Sequence, residues 1–317
     1  RVGEKQKMKN LYVRVPGTSA NLGSGFDILG LGLDIYNVFK FNFNGKGRFR
    51  LYLENGDEFR LSRPKNFIFQ AYKRYFHTFL NKEIFPDFEA VLKLDLPMKG
   101  GLGSSASALA AGFAAARYVH SKEFTSVPLP TEERFLYELA MMEGHPDNTT
   151  PAVLGNFILS YFTGKSLVYF KEKFPDNISL YLFIPDLQTS TNDSRKKLPE
   201  SYPVSDVICN MSRVATWMKF IQTKEISLLP LALDDKIHTS YRLSSQPVLK
   251  KVTASAVENS GFWSLSGSGP TLLIYCDKKN SDHFFDAMKN SLSIIKGVNH
   301  KFFPTKVSSE GMTVKEI

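Results

Sequence analysis

Short apolar runs alternate with polar residues in the first part of the chain, and segments with helical spacing follow. Between residues 11 and 54 the runs LYVRV, DIYNVFKFNF and GRFRLYLEN are separated by turn residues, a pattern typical of strands and hairpins. Residues 65–80 repeat apolar side chains at helical spacing, which indicates a helix facing the core. The same reasoning predicts a strand at FEAVLKLDLP, a helix from Ser104 or Ser105 to about His120, a helix at 131–143 and a strand over 151–162.

The second half mixes the two kinds of element in the same way. The runs ISLYLFIP and TLLIYC predict buried strands, and a last strand is predicted near 300–307. Helices are predicted around 204–223, 225–237, 247–259 and 281–291. Turn residues concentrate in 164–178, which is the predicted domain boundary. The pattern therefore predicts an α+β fold in two layers, with domains at residues 1–173 and 174–317.

Length and composition agree with two globular domains. The chain has 317 residues, of which 43% are hydrophobic and 22% charged, and single cores usually stop growing below roughly 250–300 residues. No run of about 18 apolar residues is present, so no membrane span is expected. The opening RVGEKQKMKN is basic and polar with no apolar segment after it, which predicts no signal peptide. The sequence leaves open whether Met8 is the native start.

Cysteine content and charge bear on compartment and partners. Cys209 and Cys276 lie far apart and outside any CxxC or CxxH pattern, which favours a reducing, cytoplasmic location and no structural zinc. The formal net charge of +9 raises nucleic acid, a membrane surface or an anionic small substrate as partners. Because the lysines come in scattered pairs and not in one long run, a solvated basic surface is favoured over a nucleic-acid groove.

The segment PMKGGLGSSAS, from Pro97 to Ser107, is the most informative for chemistry. Its three glycines lack Cβ atoms and let backbone N–H groups close on an anion. The helix that follows directs its positive dipole end to the same place. The spacing fits neither Walker A nor GxGxxG. A tight turn with a Ser cap would explain Gly-Leu-Gly alone, but the second Ser and the small residues behind it favour a phosphate site.

Three segments in order resemble the kinase superfamily named for galactokinase, homoserine kinase, mevalonate kinase and phosphomevalonate kinase. Residues 97–106 are similar to its ATP motif P-x-x-x-G-L-G-S-S-A. PGTSANLGSGFDILG, from residue 16, resembles the first motif of homoserine kinases, whereas the GEHxV pattern of galactokinases and mevalonate kinases is absent. GFWSLSGSGPTLLIYC, from residue 261, resembles the third motif, a turn beside the nucleotide at Gly267, Ser268 and Gly269. The implied ATP-binding residues are Pro97, Lys99, Gly100, Gly101, Leu102, Gly103, Ser104, Ser105, Ala106 and Ser107.

A fourth segment, EGHPDNTTPAVLGN from Glu143, resembles a stretch of homoserine kinases. A carboxylate followed within five residues by His, Asp and Asn is a denser polar cluster than a surface turn needs, although Asp and Asn are also common turn residues. The resemblance implies that Ser105 and Glu143 hold Mg²⁺, which prefers few protein oxygens together with water and phosphate oxygens. The departures from the family pattern, none of which removes a charged group, are Thr149, Thr150, Asn156 and Ser268.

The same resemblance implies L-homoserine, a zwitterionic amino acid, as the phosphoryl acceptor. Its ammonium group requires a carboxylate and its carboxylate requires arginines. The implied partners are Asp27 for the former, and Arg195 and Arg242 for the latter. Asn148 would hold the acceptor hydroxyl near the γ-phosphate. Further substrate contacts are implied for Asn21, His145 and Thr191.

The acceptor of the hydroxyl proton stays open at this point. Kinases that begin with GEHxV pair a catalytic Asp with a Lys or Arg of their first motif, whereas no Lys or Arg lies between Val15 and Asp34 here. This favours direct transfer of the proton to the γ-phosphate. Asp147 is the alternative base, and with Asn148, Glu143 and Ser105 it completes the implied catalytic group.

The resemblance thus implies ATP- and Mg²⁺-dependent phosphorylation of homoserine in threonine biosynthesis. The implied fold is the two-domain small-molecule kinase fold, with an N-terminal ribosomal-protein-S5-domain-2-like, ATP-binding domain and a C-terminal ferredoxin-like domain. A homodimer is conceivable, and neither nucleic acid nor membrane is expected as a partner. The alternatives are a superfamily kinase for another small alcohol such as mevalonate, a non-catalytic binding paralogue, and a nucleic-acid-binding protein.

Overall fold

The computed structural model describes residues 8–43, 49–62, 65–187, 189 and 191–317, with the backbone alone at 191 and 192. These residues form two β-sheets with helices packed against them. The arrangement confirms the α+β prediction. Residues 44–48, within the region of the predicted hairpins, lie outside the described part of the chain.

The first sheet consists of β1 (Leu11–Ala20), β2 (Leu29–Asn42), β3 (Arg50–Leu53), β4 (Glu89–Leu94), β5 (Phe157–Thr163), β6 (Ser166–Glu172) and β11 (Thr313–Glu316). Its strand order is β11-β1-β2-β4-β3, with β5 beside β2 and β6 beside β5. All of these pairs are antiparallel except β3–β4. Leu11, Val13 and Val15 alternate with less buried residues, as the period of two along a strand requires.

Four helices accompany this sheet: α1 (Phe67–Tyr75), α2 (Ser104–Glu123), α3 (Glu132–Glu143) and α4 (Thr149–Leu154). A π-helical turn, Phe76–Leu80, continues α1. The alanine-rich α2 is buried over most of its surface, because small side chains let its neighbours approach closely. At Gly112 a Cβ atom would collide with the carbonyl oxygen of Ile68 in α1, so this helix crossing requires glycine. The Gly-rich loop is therefore attached to a helix that is buried and closely packed.

The second sheet is antiparallel, with the order β10-β7-β9-β8, and its strands are β7 (Ile178–Pro185), β8 (Phe262–Leu265), β9 (Leu272–Asp277) and β10 (His300–Thr305). The helices that follow β6 are α5 (Thr191–Arg195), α6 (Val204–Thr223), α7 (Leu229–Leu233), α8 (Thr239–Leu243), α9 (Pro247–Glu258) and α10 (Ser281–Ser293). Short 3-10 turns occur at Ile226–Leu228 and Lys278–Asn280.

Alternate residues of β7 face different hydrophobic clusters. Tyr181 and Phe183 pack in a cluster with residues of α9 and α10. Leu180 and Leu182 belong to a second cluster, which contains Trp217 of α6 and also apolar residues of β2 and β5 from the first sheet. The second cluster joins the two sheets, and it also contains Leu22, from the loop after β1, and Leu102, from the Gly-rich segment.

Several local predictions need correction. Residues 151–162 are not one strand: α4 continues to Leu154 before β5 begins. The predicted helix at 225–237 is a 3-10 turn followed by the five-residue α7, and the boundary segment 164–178 contains β6. The chain also returns to the first sheet after β10, since β11 pairs with β1. No helix in the part of the chain that the structure describes is long and apolar enough to span a membrane.

Candidate active site

A cavity of about 520 Å³ brings most of the predicted site residues together. Its lining divides by chemistry into two parts, which meet at the Gly-rich loop. The polar part consists of Asn21, Asp27, Glu143, His145, Asp147, Asn148, Arg195, Arg242, Gly267 and Ser268. The apolar part consists of Phe39, Leu51, Phe59, Leu61, Phe67, Ile68, Leu92, Leu94 and Met98, accompanied by Asn37, Lys65 and Asn66.

Hydrogen bonds to its backbone carbonyl groups hold the Gly-rich loop in place. The carbonyl oxygen of Gly101 accepts from the hydroxyl of Ser266 at 2.6 Å, and that of Leu102 accepts from the backbone N–H of Thr18 at 3.1 Å. Gly101 and Gly103 have φ angles of 83° and 67°, in the left-handed region. A Cβ atom at Gly101 would collide with the carbonyl oxygen of Ser266. The glycines therefore let the loop lie directly on the neighbouring turn.

The predicted ATP-binding segment separates into lining and supporting residues. Lys99, Gly100, Gly101, Gly103, Ser104 and Ser105 line the cavity. Leu102, Ala106 and Ser107 are fully buried, Pro97 is partly exposed, and none of these four lines the cavity. The hydroxyl of Ser107 donates to the carbonyl oxygen of Ser104 and accepts from Nδ2 of Asn37, which lines the apolar part. Ser107 thus connects the loop to the other part of the cavity.

Ser105 and Glu143 form the best-suited cation site. The hydroxyl of Ser105, in the first turn of α2, donates to Oε1 of Glu143, at the end of α3, at 2.5 Å. The second carboxylate oxygen, Oε2, is buried and has no hydrogen-bond partner among the described residues. Burial is the main cause that raises the pKa of Glu143, and the charge of Asp147 adds to it. A divalent cation would satisfy the orphaned oxygen and restore the ionised carboxylate, so the oxygen donors present fit Mg²⁺.

His145 and Asp147 form a hydrogen-bonded pair, Nδ1 to Oδ1, next to this site. Burial alone would lower the pKa of His145, but the hydrogen bond and charge of Asp147, with Glu143 and Asp27 nearby, raise it to about 9. Asp27, His145 and Asp147 also lie close enough to one another to share an ion. However, Asp27 and Asp147 already have cationic partners, so Glu143 offers the better ligand.

The three charged residues predicted for a zwitterion lie together, but two of them are paired with each other. Arg195 donates to both carboxylate oxygens of Asp27, at 3.0 and 2.7 Å. Arg242 is buried, with 5% of its surface exposed, and its Nη1 donates to the carbonyl oxygen of Gly267 at 2.9 Å. Burial, together with the charge of Arg195, lowers the pKa of Arg242 to about 10. Both guanidinium groups lie over the ring of Phe26, at 5.3 and 5.2 Å from its centre.

Asn21 both lines the cavity and holds the loop that carries Asp27. Its Oδ1 accepts from the backbone N–H of Asp27 at 3.0 Å, and its Nδ2 donates to the carbonyl oxygen of Gly267 at 3.0 Å. Asn21, Leu22 and Asp27 all have positive φ angles, which cost energy for residues other than glycine. The bonds made by Asn21 stabilise this strained turn.

The turn of the third motif contributes unequally. Gly267 and Ser268 line the cavity, whereas Gly269 is buried against Leu265. The carbonyl oxygen of Ser268 accepts from the hydroxyl of Ser194, next to Arg195, at 3.1 Å. The side chain of Thr191 lies outside the described residues, so its predicted substrate contact stays a prediction.

Asp235 and His238 support Arg242 and were missed by sequence reasoning. The carboxylate of Asp235 accepts from the backbone N–H groups of Ile237, His238 and Thr239, at 2.9, 3.0 and 2.6 Å. His238 is fully buried, with Nε2 at 2.8 Å from the carbonyl oxygen of Gly23 and Nδ1 at 3.3 Å from Arg242 Nη1. An Asp followed by a short polar turn and a helix was the available signal, since such an Asp often binds the N–H groups of the turn.

The apolar part of the cavity was also missed. Its residues come from β2, β3, β4 and α1 and from the segments beside them, and they alternate with core residues without forming a motif. Phe39, Leu51, Ile68 and Leu92 belong at the same time to the hydrophobic core of the first half. Only the folded arrangement distinguishes them from ordinary core positions.

Comparison with known proteins agrees with this geometry. Residues 66–156 match the family described as GHMP kinases N terminal domain. The homoserine kinase of Clostridium novyi is 34% identical over 90% of this chain and 92% of its own length, and that of Caldicellulosiruptor bescii is 32% identical over 96% of both.

Two solved structures show the fold. The homoserine kinase of Cytophaga hutchinsonii matches with a TM-score of 0.82 over 99% of this chain and 100% of its own, at 23% identity. Mevalonate diphosphate decarboxylase of Staphylococcus aureus matches with a TM-score of 0.69 over 97% of this chain and 98% of its own, at 16% identity. The fold is thus shared by enzymes with different reactions, whereas the likeness in sequence is to homoserine kinases.

Proposed function

This chain belongs to the homoserine kinase family of the GHMP kinases, and we propose that it transfers the γ-phosphoryl group of ATP to the side-chain hydroxyl of L-homoserine. The cosubstrate is ATP with Mg²⁺. The product, O-phospho-L-homoserine, belongs to threonine biosynthesis. The chain is therefore a phosphotransferase that acts on an alcohol.

One observation supports this acceptor above the others: a carboxylate and two guanidinium groups share one cavity with the phosphate-binding loop. Asp27 suits the ammonium group of an amino acid, and Arg195 and Arg242 suit its carboxylate. Neither mevalonate nor galactose has an ammonium group to pair with Asp27. Because Arg195 donates to both carboxylate oxygens of Asp27, the groups suited to the two ends of a zwitterion lie side by side.

The nucleotide would be divided between the two parts of the cavity. Phe39, Leu92 and their apolar neighbours suit a flat nucleobase, which is mostly apolar and has polar edges. Asn37 and Asn66 offer amide groups to those edges. The backbone N–H groups of the Gly-rich loop and the N-terminus of α2, a helix of 20 residues, suit the phosphates.

Ser105 and Glu143 would hold Mg²⁺, which when bound neutralises charge on the transferred phosphoryl group. Because the transition state of phosphoryl transfer is loose, the remaining work is positioning and charge stabilisation. Asn148 holds the acceptor hydroxyl. His145, whose pKa is raised to about 9, adds positive charge next to the cation site.

We assign no protein base to the reaction. Asp147 is almost fully buried and is engaged by His145, within its own turn. The first motif, PGTSANLGSGFDILG, contains no Lys or Arg that could pair with Asp147. The hydroxyl proton would pass to the γ-phosphate itself.

The test is coupled ADP release with ATP and a panel of L-homoserine, L-threonine, mevalonate and galactose, with and without Mg²⁺. The expected result is turnover that requires both L-homoserine and Mg²⁺. Turnover with mevalonate or galactose in place of homoserine would refute the proposed acceptor. No nucleotide turnover with any member of the panel would favour a binding paralogue.

Location and assembly belong to the proposal as well. The two described cysteines are free thiols, which suits the reducing cytoplasm. The basic surface is proposed to be solvated and not to bind nucleic acid, which retention on a polyanion column at moderate salt would contradict. A homodimer stays a prediction, and light scattering coupled to gel filtration tests it.

A further inference from the structure

Two hydrogen bonds of Thr18 connect three separate segments of the site. The hydroxyl Oγ1 of Thr18, near the end of β1, donates to Oδ1 of Asn148 at 2.7 Å. Thr18 is fully buried and does not line the cavity, whereas Asn148 does. A Cβ atom at Gly103 would collide with the Thr18 hydroxyl, so the Gly-rich loop leaves room for this bond. The backbone N–H of Thr18 also holds Leu102.

The Asn148 side chain is used in an unusual way for its position. It stands at the N-cap of α4, where an Asn side chain ordinarily accepts from an N–H group of the first helical turn. Asn148 makes no such bond. Its carbonyl oxygen is turned to Thr18 instead, and Nδ2 has no hydrogen-bond partner among the described residues. The amide is thereby oriented with its NH₂ group left for the cavity.

We infer that Thr18 is a positioning residue for phosphoryl transfer, which fixes the Asn148 amide so that its NH₂ group meets the acceptor hydroxyl. An NH₂ group donates to the hydroxyl oxygen or to a phosphate oxygen but accepts no proton. The proton of the hydroxyl therefore goes elsewhere, in agreement with direct transfer to the γ-phosphate. This inference rests on the proposed function, because the acceptor hydroxyl is that of the proposed substrate.

The first experiment compares Thr18→Val, which removes the hydroxyl, with Thr18→Ser, which keeps it. Loss of one such hydrogen bond corresponds to about a tenfold change. Thr18→Val is therefore expected to lower kcat about tenfold, with the KM for ATP within about twofold, whereas Thr18→Ser stays near wild type. Thr18→Ala replaces Thr18→Val if the latter does not fold. Equal kcat in the Val and Ser variants would overturn the inference.

A double-mutant cycle separates positioning from loop support. If Thr18 acts through Asn148, Thr18→Val lowers kcat by less than about twofold when Asn148→Ala is already present, because residues that act as a unit are not additive. A full tenfold loss in the Asn148→Ala background would show that Thr18 acts through the Gly-rich loop and would overturn the inference.

A third readout needs no turnover and so stands apart from the proposed function. The measurement is an NMR spectrum of protein with ¹⁵N-labelled asparagine. The side-chain NH₂ signals of Asn148 are identified as those that are absent from the spectrum of Asn148→Asp. They are expected to keep their positions in Thr18→Ser and to shift or broaden in Thr18→Val. Unchanged signals in Thr18→Val would refute the inference even in an active enzyme. If the signals shift in Thr18→Val but the wild-type protein does not phosphorylate homoserine, only the proposed acceptor is refuted.

Discussion

The chain builds the polar and apolar parts of the cavity in different ways. The polar part comes from short segments whose side chains are fixed by hydrogen bonds, such as Thr18 to Asn148 and Ser105 to Glu143. The apolar part is a surface of the hydrophobic core, to which β2, β3, β4 and α1 each contribute one or a few residues. Single changes in the polar part should therefore alter the reaction or the binding of the acceptor, whereas changes in the apolar part should alter nucleotide affinity.

The largest expected effect is on the cation site. Glu143→Gln should lower kcat by about 10³-fold, because removal of a charged group that serves the transition state costs at least as much as loss of an oxyanion-hole donor. The Mg²⁺ concentration for half-maximal rate should rise as well, and excess Mg²⁺ should restore only part of the activity. Coupled ADP release over a Mg²⁺ titration measures both.

Glu133→Gln is the matched control for this change, since Glu133 lies on the exposed face of the same helix, α3. It should leave kcat and the Mg²⁺ dependence unchanged. Wild-type kinetics for Glu143→Gln would contradict the role of the polar part in the reaction.

The next effect concerns recognition of the acceptor. Arg242→Ala should raise the KM for homoserine about 100-fold, because a buried guanidinium is lost from a charge pair with the substrate. The KM for ATP should change by less than about threefold, since the apolar part is untouched. Steady-state kinetics with each substrate varied in turn measures the two constants.

Arg213→Ala serves as its control, because Arg213 pairs with Asp234 and does not line the cavity. A similar rise in the KM for homoserine in both variants would show that lost positive charge, and not a contact, causes the effect.

The contrast between the two parts also explains how far the sequence could predict them. Ser105, Glu143 and Asn148 stand in short motifs, so their neighbours in sequence identify them. His238 and Phe39 have no such context: the first is a lone buried histidine, and the second follows the ordinary alternation of a strand. Their roles depend on contacts between residues that are far apart in the sequence. His238, for example, contacts Gly23, which is 215 residues away. Such contacts are created by tertiary packing and not by a local pattern.

The elements of the fold show the same division. The long, periodic elements were predicted well, because α6 and β7 bury regular faces. The return of β11 to the first sheet was not predictable from the pattern, since four residues with one partly buried Thr313 carry little periodic signal. The helix α4 was missed because Pro151 and two threonines conceal a helical turn.

A smaller effect is expected in the apolar part. Phe59→Ala should raise the KM for ATP about tenfold, because burial of part of a phenyl ring against a ligand is worth roughly 1–2 kcal/mol. Turnover at saturating ATP should stay within about twofold. The control is Phe170→Ala, which removes a half-exposed ring from β6, outside the cavity. A loss of kcat in Phe59→Ala, with the KM for ATP unchanged, would contradict the proposed division of roles between the polar and apolar parts.

The smallest effect is a pH dependence of stability from the polar part. The pKa of His145 is raised to about 9, above the ordinary value of 6.5, so its charged pair with Asp147 stabilises the fold fully below about pH 6.5. This contribution is lost as the pH rises through 9. The free energy of unfolding of wild type relative to His145→Gln should therefore fall by about 1 kcal/mol or more between pH 6.5 and 9.5.

Urea unfolding without nucleotide or Mg²⁺ measures this difference. His283→Gln, which removes an exposed histidine of α10, is the matched control. A constant difference between wild type and His145→Gln over this range would contradict a charged His145.

The most direct test of the central claim, that both parts form one site for two substrates, is a crystal structure with a non-hydrolysable ATP analogue, Mg²⁺ and L-homoserine. The account predicts the nucleobase against Phe39 and Leu92, the ion at Ser105 and Glu143, and the homoserine hydroxyl at Asn148. A nucleobase bound outside the apolar part, or a homoserine carboxylate away from both Arg195 and Arg242, would contradict it.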